Sequence, residues 1–154
     1  MKKFLIVALA SLLLGLTACG GGASGEKSAP FDPQADAQAL LEGGCFSEEL
    51  TQVPVEIACA SYGIDPADVT DWACYGSTGA TAEELAILVL KDEAAAQSAL
   101  KQLGYRVEDR TEDMKSYLPG EVPKLEKAVT AIRGNSVLLV VADSYDGVNR
   151  LLER

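Results

Sequence analysis

Apolar and polar positions alternate along this chain with changing period, and the changes mark its elements. Ala37, Leu40 and Leu41 follow Asp32-Pro33 at three-four spacing, which predicts a short helix ending at Gly43-Gly44. Ser47-Glu48-Glu49-Leu50 suggests a further turn, and Val55 to Tyr62 predicts a second helix that stops at Gly63. Val69 to Gly76 reads as a strand and Ser77-Thr78-Gly79-Ala80 as a turn. Glu83 to Lys91 turns apolar on both faces in its later part, which suits a central strand, with a helix as the competing reading. Asp92 then caps a long helix whose apolar stripe is Ala96, Leu100, Leu103, Val107, Met114 and Leu118. Arg106, Glu108, Asp109, Arg110, Glu112 and Asp113 lie on its other face, where Arg106–Asp109 and Arg110–Asp113 form three-apart pairs, and Pro119-Gly120 ends it. Val129 to Arg133 and Ser136 to Ala142 flank Gly134-Asn135, a two-residue hairpin signal. Asp143 to Arg154 closes as a short helix with Val148, Leu151 and Leu152 inward.

The order is therefore α-α-β-β-α-β-β-α. Hairpins separated by a long helix imply an α+β fold: an antiparallel sheet of about four strands with helices packed on one face.

The first residues follow a different logic. Lys2 and Lys3 precede an apolar run from Phe4 to Leu14, followed by Gly15-Leu16-Thr17-Ala18-Cys19. The run is short of the ~20 apolar residues that a spanning helix needs, and a basic start with a small-residue finish is the layout of a cleavable signal. Leu16-Thr17-Ala18-Cys19 resembles a bacterial lipobox, which implies a diacylglycerol on Cys19 and cleavage before it. A plain secretory signal and an uncleaved membrane helix are the alternatives. Gly20 to Asp32, with its Gly-Gly-Gly-Ala-Ser-Gly tract, reads as a flexible tether. The expected organisation is a signal over 1–18, a lipidated cysteine and tether over 19–32, and one globular domain over 33–154.

Composition narrows the chemistry. All 23 acidic residues lie beyond the signal, whereas two of the 13 basic ones leave with it, so the net charge moves from −10 to −12. That charge disfavours nucleic acid and gives no attraction to anionic head groups. The chain has no histidine, which removes the commonest general base and metal ligand and excludes triads built on it. Cys45, Cys59 and Cys74 remain beside Cys19. Export allows one disulfide between two of these three, with three buried thiols as the alternative.

Several short blocks bring a family into view. They are Ser77-Thr78-Gly79-Ala80-Thr81-Ala82-Glu83-Glu84, Arg106-Val107-Glu108-Asp109, the run from Tyr117-Leu118-Pro119-Gly120 to Glu126, and Gly134-Asn135. Together, from about Ala35 to Asp143, they resemble the Firmicutes lipoproteins grouped as domain of unknown function 4358. The resemblance implies a small lipid-anchored α+β domain outside a Gram-positive cytoplasmic membrane and carries no functional residue with it.

Candidate chemistry is sparse. Asp65, Asp68 and Asp71 stand three apart but lack the alternation of a calcium loop, so turn and cap roles explain them as well. The acidic run Glu108 to Asp113 is a docking patch for a cationic partner or a solvated helix face. Gly76-Ser77-Thr78-Gly79 lacks the spacing and the lysine of a phosphate loop. Cys74 has no histidine or neighbouring cation in sequence to activate it. Trp72, Tyr75, Tyr105 and Tyr145 offer aromatics for a binding surface or a core. Glu83 or Glu84 facing another acid across ~5–10 Å would be needed for carboxylate hydrolysis.

The expectation is a protein anchored to the outer face of the cell membrane, not an enzyme and without cofactor or metal. It would be a binding or scaffold module with an envelope-protein or cell-wall partner. The alternative is an accessory solute-binding or sensing lipoprotein of a membrane transporter, which needs an enclosed pocket of ~300 Å³ or more.

Overall fold

Two strands with apolar side chains at almost every position sit at the centre of the computed structural model, which describes residues 29–154. These are β3 (Glu84–Leu90) and β5 (Ser136–Val141), antiparallel neighbours with Glu84 opposite Val141 and Ile87 opposite Leu138. β2 (Val69–Gly76) flanks β3, β4 (Val129–Arg133) flanks β5, and a short edge strand β1 (Thr51–Gln52) pairs with β2. The sheet runs β1-β2-β3-β5-β4, antiparallel throughout. It therefore has five strands where the periodicity suggested about four: β1 is two residues long, too short to leave a period.

The helices are α1 (Pro33–Glu42), α2 (Val55–Tyr62), α3 (Glu93–Tyr117), α4 (Val122–Glu126) and α5 (Asp146–Leu152). Around the sheet the α+β order stands as expected, with α4 as an added short turn after Pro119. The expectation that helices cover one face is corrected. Ala86, Leu88, Leu90, Val137 and Leu139 point to a core shared with α2, α3 and α4. Leu85, Ile87, Leu138 and Val140 point the other way, into a core closed by α1 and α5. Alternate residues of a strand face opposite sides, so strands apolar on both sides require two covers.

Asp32 and Asp92 cap α1 and α3: Asp32 accepts from the backbone N–H of Gln34 and Ala35, and Asp92 accepts from that of Ala95. Phe31, which the composition assigned to the tether, packs with the domain. Phe31 is 2 % exposed in the α1–α5 core, its N–H donates to Ser136 Oγ at 2.8 Å, and the Arg133 guanidinium lies 4.6 Å from its ring centroid. Residues 1–28, including the signal, the lipobox and Cys19, lie outside the described residues.

The seam between α1 and α5 is tight at one glycine. A Cβ on Gly147 would stand 2.6 Å from the Sγ of buried Cys45 and 3.7 Å from Leu40 Cδ2. Gly147→Ala is therefore expected to lower stability by about 1–3 kcal/mol, although alanine is the better helix former by ~1 kcal/mol. Urea unfolding of the two proteins checks this; an alanine variant as stable as the parent would mean that Cys45 gives way freely.

Candidate functional site

Glu83 and Glu84 are consecutive, and strand alternation sends them to opposite sides of the sheet. Neither reaches solvent appreciably: Glu83 is 0 % exposed and Glu84 5 %. Burying a carboxylate is costly unless it is paired and hydrogen-bonded. Each has its own set of partners, and two polar clusters result.

The first cluster surrounds Glu83. Its Oε1 accepts from the Ser47 backbone N–H at 3.0 Å, from Ser47 Oγ at 2.8 Å and from Lys124 Nζ at 3.1 Å. Lys124 also lies 3.3 Å from Glu121 Oε2, 3.7 Å from Asp143 Oδ1 and 3.3 Å from Ser47 Oγ. Glu121 accepts in turn from the backbone N–H of Ala82, and Thr81 Oγ1 donates to Glu48 at 2.7 Å. The cluster ties the loop before β1, the turn before β3 and α4 together. A serine beside a lysine invites comparison with a nucleophile and its base, but that chemistry needs a neutral amine. Burial alone would depress the Lys124 pKa; the hydrogen bonds and charges of Glu83 and Glu121 outweigh it and the net shift is upward. Ser47 Oγ already donates to Glu83. The arrangement is a charged clasp.

The second cluster lies on the α3 side. Arg110 Nη1 donates to Glu84 Oε2 at 3.1 Å, and Arg106 Nη2 stands 3.5 Å from the same oxygen. The three-apart pairs expected along the face of α3 are thus replaced by ion pairs that cross to the sheet. The Arg106 guanidinium lies 5.8 Å from the Tyr62 ring centroid, and its buried Nε has no acceptor among the described residues. Burial, followed by the Glu84 charge, pushes the Tyr62 hydroxyl well above its usual range. Tyr62, Tyr75, Ser77, Glu84, Arg106 and Arg110 line a cleft of about 160 Å³.

The remaining sequence candidates disperse. Asp65 caps a 3-10 turn through the Ala67 N–H, Asp68 pairs with Lys91 at 2.7 Å, and Asp71 accepts from the Trp72 N–H. Among the described residues no group of three or more acids or cysteines could hold a metal ion. Ser77 Oγ accepts from the N–H of Gly79 and Thr81, so the glycine-containing segment is a hairpin turn. Trp72 and Tyr105 are exposed, whereas Tyr75 and Tyr145 pack partly buried against the α1–α5 core. The acidic run of α3 borders an open groove of about 600 Å³ against α4 and the link that leads from it to β4. Its apolar residues are Val107, Leu125 and Ala128, and its acids are Glu108, Asp109, Glu112 and Glu126. Sequence reasoning missed the Glu84 cluster because Arg106 and Arg110 were paired locally; two arginines four apart on one helix face were its only signal.

Cys45, Cys59 and Cys74 are all free and buried here, the arrangement that stood as the alternative to a disulfide between two of them. Cys45 and Cys74 belong to cores on opposite sides of the sheet. Burial raises the Cys59 thiol, helped by Glu56 and Asp65, and burial with the Cys59 and Glu84 charges pushes Cys74 up to about 12. At pH 8 about one Cys74 in ten thousand is then a thiolate. Iodoacetamide is expected to leave Cys59 and Cys74 unmodified in the folded chain and to alkylate both in guanidinium, as read by peptide mass spectrometry. Ready alkylation in the folded state would contradict their packing.

Residues 46–142 match the family model of the Domain of unknown function (DUF4358). No curated protein and no solved structure matches the chain.

Proposed function

The chain belongs to the DUF4358 family, and from that premise we propose that it is a binding or scaffold module of the cell envelope and not an enzyme. Cys19 carries the lipid in this reading and holds the domain on the outer face of the cell membrane, with the glycine-rich segment that follows it as the tether. Among the described residues no helix is long and apolar enough to cross a membrane.

The observation that carries the proposal is the groove along α3. It is open, its floor is apolar and its walls hold four carboxylates, which suits a basic, partly apolar segment of an envelope protein. The reading as an accessory solute-binding or sensing lipoprotein ranks second, because the clefts with convergent polar groups have volumes of about 160–200 Å³, too small to enclose any solute larger than a small acid.

Crosslinking of the intact protein in its native membrane, followed by mass spectrometry, tests the proposal. One dominant envelope protein should be captured through a basic segment, and Glu108→Lys with Glu112→Lys should abolish the capture. Capture unaffected by that charge reversal would remove the groove from the reading. Labelling with a palmitate analogue that is lost in Cys19→Ala tests the anchor separately.

A further inference from the structure

The cleft between α2, β2 and α3 carries more cation than its own structure uses. One buried carboxylate, Glu84, faces two guanidiniums, so its walls hold an excess of one positive charge in a chain whose net charge is −10. Arg110 is hydrogen-bonded to Glu84, but Arg106 touches it only at 3.5 Å, and its Nε–H has no acceptor among the described residues. A buried donor left unpaired costs ~1–3 kcal/mol and calls for an explanation. The guanidinium gives up little by turning towards an acceptor that enters the cleft, because its present contacts are one long ion pair and the Tyr62 ring.

We propose that this cleft binds a ligand carboxylate, held by the Arg106 and Arg110 guanidiniums, of whose two charges Glu84 offsets only one. The size and charge argue for that class. A volume of about 160 Å³ takes a small acid or the end of a longer molecule. A monoanion neutralises the excess charge of the site, whereas a phosphate dianion would leave a net negative charge beside the buried Glu84. Arginine forks match carboxylate oxygens in pairs. The site is separate from the acidic groove, so it stands whether or not a protein partner docks there.

The test is a titration of the detergent-solubilised full chain, followed through the arginine Nε–H resonances. The probes are acetate, N-acetylalanine, N-acetylalanine amide and inorganic phosphate. Saturable movement of the Arg106 Nε–H with N-acetylalanine and none with its amide is expected. Acetate binding as tightly would identify a small free acid as the ligand, and weaker acetate binding would identify the carboxylate end of a larger one; both support the proposal. Arg110→Gln should weaken binding by about tenfold or more, as loss of a charge-assisted contact does. Glu84→Gln should tighten it, because it raises the excess charge, and a purely structural role for Glu84 would not produce that gain. Phosphate binding more tightly than the carboxylates, or no saturable shift with any carboxylate, overturns the proposal.

Discussion

Replacing Lys124 by methionine is expected to cost about 3–5 kcal/mol of stability, the usual penalty for leaving a buried charge without its partner. Glu83 is fully buried, and Lys124 is its cation. The same substitution removes the ammonium that Glu121 and Asp143 share, and so loosens α4 from the turn before β3 and the segment after β5. A domain of this size has a total stability of only ~5–15 kcal/mol, so the variant should unfold at much lower urea and lose roughly 10 °C or more in Tm. Adding Glu83→Gln should recover part of the loss, because the double variant buries no unpaired charge. If the single and double variants are equally stable, the clasp is not an energetic unit. The clasp has a defined pH range as well. The folded-state pKa of Lys124 is raised, so its contribution is fully present below the ordinary lysine value and is lost as pH rises through the folded one. Neutral and mildly acidic solutions leave Lys124 charged.

Phe31→Ala is expected to cost about 3–5 kcal/mol, a core aromatic loss at a position that reads as linker. The ring fills the α1–α5 core and lies against Arg133, whose Nη2 in turn donates to the carbonyls of Leu151 and Leu152 at 2.9 Å. Truncating it opens a cavity and also removes the surface that holds the guanidinium over the end of α5. Chemical denaturation of the variant measures the loss. A cost below about 1 kcal/mol, the level of an ordinary surface change, would return residue 31 to the tether.

These two positions show where reading the chain residue by residue stops. Phe31 follows Ser28-Ala29-Pro30 at the end of a glycine-rich stretch, and a lone aromatic there has no period to report its burial. Lys124 follows Pro123 in a five-residue helix, too short for a pattern, and its partners Glu83 and Asp143 come from distant segments. The long helix α3 was legible because Asp92 caps it and its apolar stripe repeats at three-four spacing. The hairpin at Gly134-Asn135 was legible because Gly134 sits at φ 54°, where glycine is favoured. Arg106 and Arg110 were visible only as solvated charges, since helical spacing reports same-helix neighbours and says nothing about the strand beneath.

Apart from the short β1 and α4, the sequence by itself determined the main elements and their order, the antiparallel hairpins and the family to which the chain belongs. Each of these depends on local backbone preference or on periodic burial, which act over a few residues at a time. Tertiary structure alone decided that both faces of the sheet are covered, that Glu83 and Glu84 diverge into separate cation clusters, that Phe31 joins the core, and that Arg106 turns from its helix neighbours to Glu84 beside a cleft. The physical reason is the cost of burying charge and apolar surface, which is met by whatever partner the fold brings near, at any distance along the chain.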